Sequence, residues 1–214
     1  MAITQNPITG RTKKKFGTAV FSKQFGKNTM RTKPMDVKNP KTPKQLDQRQ
    51  KFAIMVELAR LLMGFIRVTF KQASIGMSEF NAFVKSNIST AITGAFPYYT
   101  IDYSKLIVSK GVLTGSIDGA ASASSGSIVD ITWTDNSGNG DAQATDYAVL
   151  LLINEGKKSI AQEVSSNTRA DASLSVTVPS SWEGSNVHVY LSFKDADSFR
   201  IADSSYLGSV TILA

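Results

Sequence analysis

The spacing of apolar residues changes character along this chain and divides it into parts. In residues 11–34 two short β-prone runs, Gly17-Thr18-Ala19-Val20-Phe21-Ser22 and Thr29-Met30-Arg31-Thr32, flank a Gly/Asn turn around Gly26-Lys27-Asn28. This pattern predicts a hairpin or an extended arm. An isolated hairpin is marginal in water, so the arm is expected to order against the rest of the protein or against a partner. Pro34, Pro40 and Pro43 then rule out a continuous helix through residues 34–44. Thr42 as N-cap, Pro43 at the first helical position and Gln45 completing a capping box mark a helix start. From there Phe52, Met55, Val56, Ala59, Leu62, Met63 and Ile66 recur at helical spacing, which predicts a helix over residues 43–70. Ile54, Leu58, Leu61 and Phe65 widen its apolar face, so it is expected to be covered on more than one side, by its own chain or by another copy. A second helix is predicted from Ser78, with Phe80, Phe83, Val84, Ile88 and Ala91 on one face and Gly94 and Pro97 ending it.

Beyond Tyr103 the period becomes two. Val129, Ile131 and Trp133 alternate with Asp130, Thr132 and Thr134, and Leu174, Val176 and Val178 alternate with serine and threonine. Strands are predicted over residues 104–109, 112–117, 127–134, 147–154, 159–164, 173–178, 187–193 and 205–213, separated by Gly/Ser/Asn/Asp turns. Short strands at this spacing predict an immunoglobulin-like sandwich, with Trp133 buried on an early strand. The run Leu174 to Pro179 leading into Val187 to Phe193 resembles the central strand pair of fibronectin type III domains, although no clear tyrosine corner accompanies it. The expected class is α+β. A basic hairpin or arm (1–41) and a helical segment (42–100) precede an all-β sandwich (101–214) that is expected to fold alone.

Charge sharpens this division. Residues 1–100 carry 17 Lys/Arg against 4 Asp/Glu, a net +13, whereas residues 101–214 carry 7 against 13, a net −6. The halves therefore face different surroundings. The arm concentrates Arg11, Lys13, Lys14, Lys15, Lys23, Lys27, Arg31 and Lys33, which are the candidate partner-binding residues. Phe52, Met55, Leu62 and Ile66 are the candidate oligomerisation residues on the first helix. The chain has no cysteine, which excludes disulfides, thiolate metal sites and cysteine nucleophiles. Met1 to Pro7 lacks the charged-then-apolar pattern of a signal peptide. Leu58 to Phe70 is too short, and too interrupted by Arg60, Gly64 and Arg67, to span a bilayer. Cytoplasmic synthesis without a membrane step is expected, with a virion as one destination.

No catalytic constellation emerges from the residues. The single histidine, His188, alternates with Val187 and Val189 and is expected on the solvent face, and one histidine makes neither a triad nor a zinc site. Asp195 and Asp197 lack the ligand series of a calcium loop and read as a strand-connecting turn. Asp135 to Asp141 is glycine-rich, but no lysine follows and no helix opens, so a hairpin loop is expected in place of a phosphate cradle. Trp182 could stack on a sugar, although a corner-packing role is the commoner outcome. Catalytic residues, cofactors and metals are therefore all expected to be none.

Gly17, Val20, Gly26-Lys27, Arg31, Lys33-Pro34, Thr42-Pro43, Gln45, Arg49 and Phe52 form a motif that resembles a family of uncharacterised proteins of similar length from gut-type bacteria and their phages. That resemblance implies a helical segment and a C-terminal β-sandwich, and it carries no activity with it. The extra lysines at positions 13–15 depart from the pattern. The leading expectation is a structural component of a phage or phage-like particle, docking on other subunits as a homo-oligomer. A nucleic-acid-associated protein gripping phosphates through its arm is the alternative, and a carbohydrate- or surface-binding module the third.

Overall fold

The computed structural model describes residues 2–3, 14–24, 26–36 and 38–214. They fall into two compact units, Met1–Leu46 and Asp47–Ala214. In the first, strands β1 (Ala2–Ile3), β2 (Lys14–Phe16), β3 (Ala19–Gln24) and β4 (Lys27–Thr32) form an antiparallel sheet in the order β1-β4-β3-β2. The predicted hairpin is its central pair, and β1 and β2 extend it. Gly26 turns the chain between β3 and β4 at φ +81°, a conformation that glycine adopts at little cost.

The helical segment holds α1 (Pro43–Leu61), α2 (Met63–Thr69) and α3 (Glu79–Asn87). The single helix predicted over residues 43–70 is thus two helices that share the intervening Leu62, whose N–H still bonds Leu58 and whose carbonyl still accepts from Ile66. Ser78 caps α3 as expected, its side chain accepting from the Asn81 N–H. α3 stops well short of Gly94, because residues 92–101 turn into a hairpin, β5 (Ile92–Ala95) and β6 (Tyr98–Ile101). β-Branched Ile92 and Thr93 opposite Ile101 and Thr100 suit a strand better than a helix, and Gly94 sits at φ +95°.

The remaining strands make a two-layer sandwich. Strands β7 (Ile117–Ser124), β8 (Ile128–Thr134), β9 (Tyr147–Asn154), β10 (Ser159–Thr168), β11 (Ser173–Thr177), β12 (Asn186–Lys194) and β13 (Ser205–Thr211) form sheets of order β10-β9-β12-β13 and β11-β8-β7. Seven antiparallel strands split four and three in this order give an immunoglobulin-like sandwich. Between the sheets lie Val129, Ile131 and Trp133 with Leu150, Leu152, Val189, Leu191 and Phe193. Trp133 meets Phe193 edge to face at 5.6 Å and donates its Nε1–H to the Arg169 carbonyl, so its one polar atom is satisfied.

Two predicted strands are absent. Residues 112–116 make only an isolated bridge at Leu113, and the edge strand is instead β7, which opens at Ile117 and whose largely Ala/Ser/Gly composition carries little β signal. Residues 106–109 run extended without a strand partner. Their backbone is held by helix side chains: Asn87 bonds both the N–H and the carbonyl of Ile107, and the Thr69 hydroxyl donates to the Val108 carbonyl.

The helices and the sandwich share one body. The outer face of β9 and β12, formed by Val149, Leu151, Ile153 and Tyr190, is covered by Met55, Leu62, Phe65, Ile66, Phe83 and their neighbours. The boundary expected at residue 101 therefore separates no two cores. Three of the four residues expected at an oligomer interface, Met55, Leu62 and Ile66, are fully buried in this intrachain core, and Phe52 alone is exposed. The broad apolar face of the helix is satisfied by the chain's own sheet.

Candidate functional site

Two surfaces stand out, one in each unit. In the first unit, strand alternation sorts the side chains by face. Ala19 and Phe21 pair with Thr32 and Met30 on one face, while Val20 pairs with Arg31 and Lys15 on the other, which Lys27 shares by its two-residue spacing. Lys15, Lys27 and Arg31 are exposed, whereas Ala19, Val20, Phe21 and Met30 are half-buried. Among the described residues of this unit only Thr29 is buried, with Ser22 bonded to its hydroxyl at 2.6 Å. Lys15, Lys27 and Arg31 thus share one face with Val20 and the buried Thr29, whereas Phe21 and Met30 share the other with Lys23, and the described residues of the sheet bury almost nothing between them. Lys23 and Lys33 are also exposed. Lys14 lies in β2, while Arg11 and Lys13 lie outside the described residues, as does Phe25. Residues 1–46 hold 11 Lys/Arg against the single acidic Asp36.

In the second unit, α1, β6 and the β9–β10 turn border a cleft of about 580 Å³. Its apolar wall comes from Ile54, Leu58 and Leu61, one helical face, with Ile101 and Ile153 from the strands. Glu57 and Lys158 close an ion pair across the rim at 2.8 Å. The lysine holds the Glu57 carboxyl below its usual range, and the carboxylate in turn raises the lysine. Tyr99 donates to Asp47, whose carboxylate also holds Lys51 at 3.2 Å. Arg60 lines the same cleft, exposed, with no described residue paired to it.

His188 supports one wall from behind. Its ring stacks on cleft-lining Tyr103 with centroids 4.2 Å apart, its Nδ1 lies 3.0 Å from the Tyr206 hydroxyl, and its Nε2 lies 4.0 Å from the Glu155 carboxylate. The side chain is 17% exposed, so the expectation that it faces solvent is corrected: Tyr103 covers that part of the sheet. The Tyr190 hydroxyl donates to the Tyr103 carbonyl at 2.7 Å, and burial pushes the Tyr103 phenol up to about 12.

Burial depresses the His188 pKa, with Glu155 pulling the other way. A histidine whose pKa is lower folded than unfolded supports the fold above its ordinary value of 6.5, and that support drains as pH falls below it. His188→Phe keeps the stack and removes the titration. Its melting temperature is expected to fall less than the parent's between about pH 7 and about pH 5. Equal falls would remove His188 from the acid response.

The other sequence candidates resolve as structural. Asp195 accepts from the N–H groups of Asp197 and Ser198, which is a turn. No group of three or more His, Cys, Asp or Glu side chains that could hold a metal occurs among the described residues. Trp182 is buried in the sandwich core, which leaves no face for a sugar. The 135–141 loop is anchored by Asn136, buried and bonded to Arg169 at 2.5 Å. Arg169 itself is fully buried against Asp146 at 3.0 Å, and sequence reasoning gave no sign of it. No described helix is long and apolar enough to cross a membrane.

Comparison with known proteins adds a family and a fold-level likeness. A family profile described as "Family of unknown function (DUF6266)" matches residues 11–208. No curated protein matches the chain. Among solved structures, the chain is similar to the fn3 domain of the human collagen alpha-1(XX) chain, at 10% identity and a TM-score of 0.36, covering 47% of this chain and 87% of that one. It is also similar to the chicken CNTN1 FN1-FN3 domains, at 11% identity and a TM-score of 0.38, covering 49% of this chain and 36% of that one.

Proposed function

From the premise that this chain belongs to the DUF6266 family of unknown function, we propose that it is a non-catalytic assembly protein, of the kind that builds phage or phage-like particles. Its N-terminal sheet docks on other protein subunits, and its sandwich body serves as the rigid mount. The observation that carries this reading is the four-stranded sheet that buries only Thr29 among its described residues while presenting Phe21 and Met30 on one face and Lys15, Lys27 and Arg31 on the other. A sheet this thin cannot stabilise itself by its own burial and gains most by laying Phe21 and Met30 on a second surface. An exposed cationic row suits an acidic partner and steers its approach.

Light scattering of the full chain at high micromolar concentration is expected to show a dimer or larger species, and Met30→Asp is expected to dissolve it. A strict monomer would count against assembly as a homo-oligomer. The same cations favour one second reading, nucleic-acid binding through phosphates. There, changing Lys15, Lys27 and Arg31 together to alanine would lower the slope of log K against log salt by up to about 3, equally for all sequences. On the assembly reading that triple variant fails to oligomerise. A variant that assembles normally and loses only DNA binding overturns it.

A further inference from the structure

We propose that the cleft beside α1 is a binding site for an aliphatic carboxylate, with the hydrocarbon chain on the Ile54/Leu58/Leu61 wall and the carboxylate at Arg60 and Asn154. The cleft's size falls in the range of about 300–1,000 Å³ that small-molecule sites occupy. Its wall is branched aliphatic on the helix side and on the strand side, where Ile101 and Ile153 contribute. Such a surface takes a flexible hydrocarbon chain readily.

The polar groups select the head. Asn154 lines the cleft, is fully buried, and its Nδ2 has no hydrogen-bond partner among the described residues. Its Oδ1 accepts from the Lys157 N–H at 3.0 Å, which fixes the amide's orientation and leaves the NH2 as the unmatched end. A buried donor without a partner is costly, and a carboxylate oxygen reaching it would relieve that cost. Arg60 adds a guanidinium with no partner among the described residues, and its fork matches a carboxylate. The acidic side chains offer less to a cation: Glu57 is engaged by Lys158, and Glu155 is 66% exposed with His188 beside it.

Dodecanoate, below its micelle concentration, is the probe for calorimetric titration of the full chain. One saturable site is expected, with a Kd on the order of 10–100 μM. Dodecanol and dodecyltrimethylammonium, which share the tail, are expected to bind at least about tenfold more weakly, and Arg60→Ala should lose about tenfold for dodecanoate. Ile54→Trp fills the apolar end and should abolish binding while the melting temperature stays near the parent's. Absence of saturable binding, equal affinity for the ammonium probe, or an Arg60→Ala variant that binds dodecanoate as the parent does would each overturn the assignment.

Discussion

Arg169→Ala is expected to cost about 3–5 kcal/mol of stability, read as a lower urea midpoint at unchanged slope. The guanidinium is fully buried and spends its donors on four groups: the Asp146 carboxylate, the Asn136 side chain and the carbonyls of Thr114 and Gly115. Its flat face lies 3.9 Å from the Phe193 ring centroid. Removing it strands the Asp146 carboxylate, 2% exposed, with the Gln143 N–H its one remaining partner among the described residues. An uncompensated buried charge is the expensive case. Arg169→Met combined with Asp146→Leu removes both charges, and this pair is expected to recover much of the loss. A loss below about 1 kcal/mol for the single change would show that water reaches the site and that the ion pair is not what holds these loops.

Much of the fold was legible in the sequence because its signals were local. The Thr42/Pro43 start, the Ser78 cap and the alternation at Val129, Ile131 and Trp133 each describe a few consecutive residues, and each element begins where those residues place it. What escaped depends on partners far along the chain. β7 is written in alanine, serine and glycine, and it is a strand only because β8 offers it a ladder. Arg169 looks like a surface residue until the fold brings Asp146 and Asn136 to it. The cleft draws on α1, β6 and the β9–β10 turn, with about 100 residues between its first and last lining side chains, and no local pattern announces it.

One signal was present and pointed away from an independent sandwich. β9 reads Ala148-Val149-Leu150-Leu151-Leu152-Ile153, an unbroken apolar run in place of an alternating one. Such a run means that both faces of the strand are buried, one by the opposite sheet and one by something else. The helices supply the second cover.

That double burial sets the last expectation: residues 102–214 expressed alone should fail to hold a cooperative fold. Without the helices, Val149, Leu151, Ile153 and Tyr190 return to water from an exposure of 1% or less. At about 1.5–3 kcal/mol for each large apolar side chain, the four together cost roughly 6–12 kcal/mol. That loss matches the roughly 5–15 kcal/mol by which whole domains are stable. The extended 106–109 segment would also lose Asn87 and Thr69, its hydrogen-bonding partners from the helices. The fragment is expected to melt broadly, bind a hydrophobic dye and give poorly dispersed amide signals. Residues 47–214 keep both cores and should melt in one sharp transition, which separates loss of the helices from loss of the basic sheet. A short fragment with dispersed signals and a sharp melt would mean that the sandwich interior alone suffices, and that the helical layer is an attachment to it.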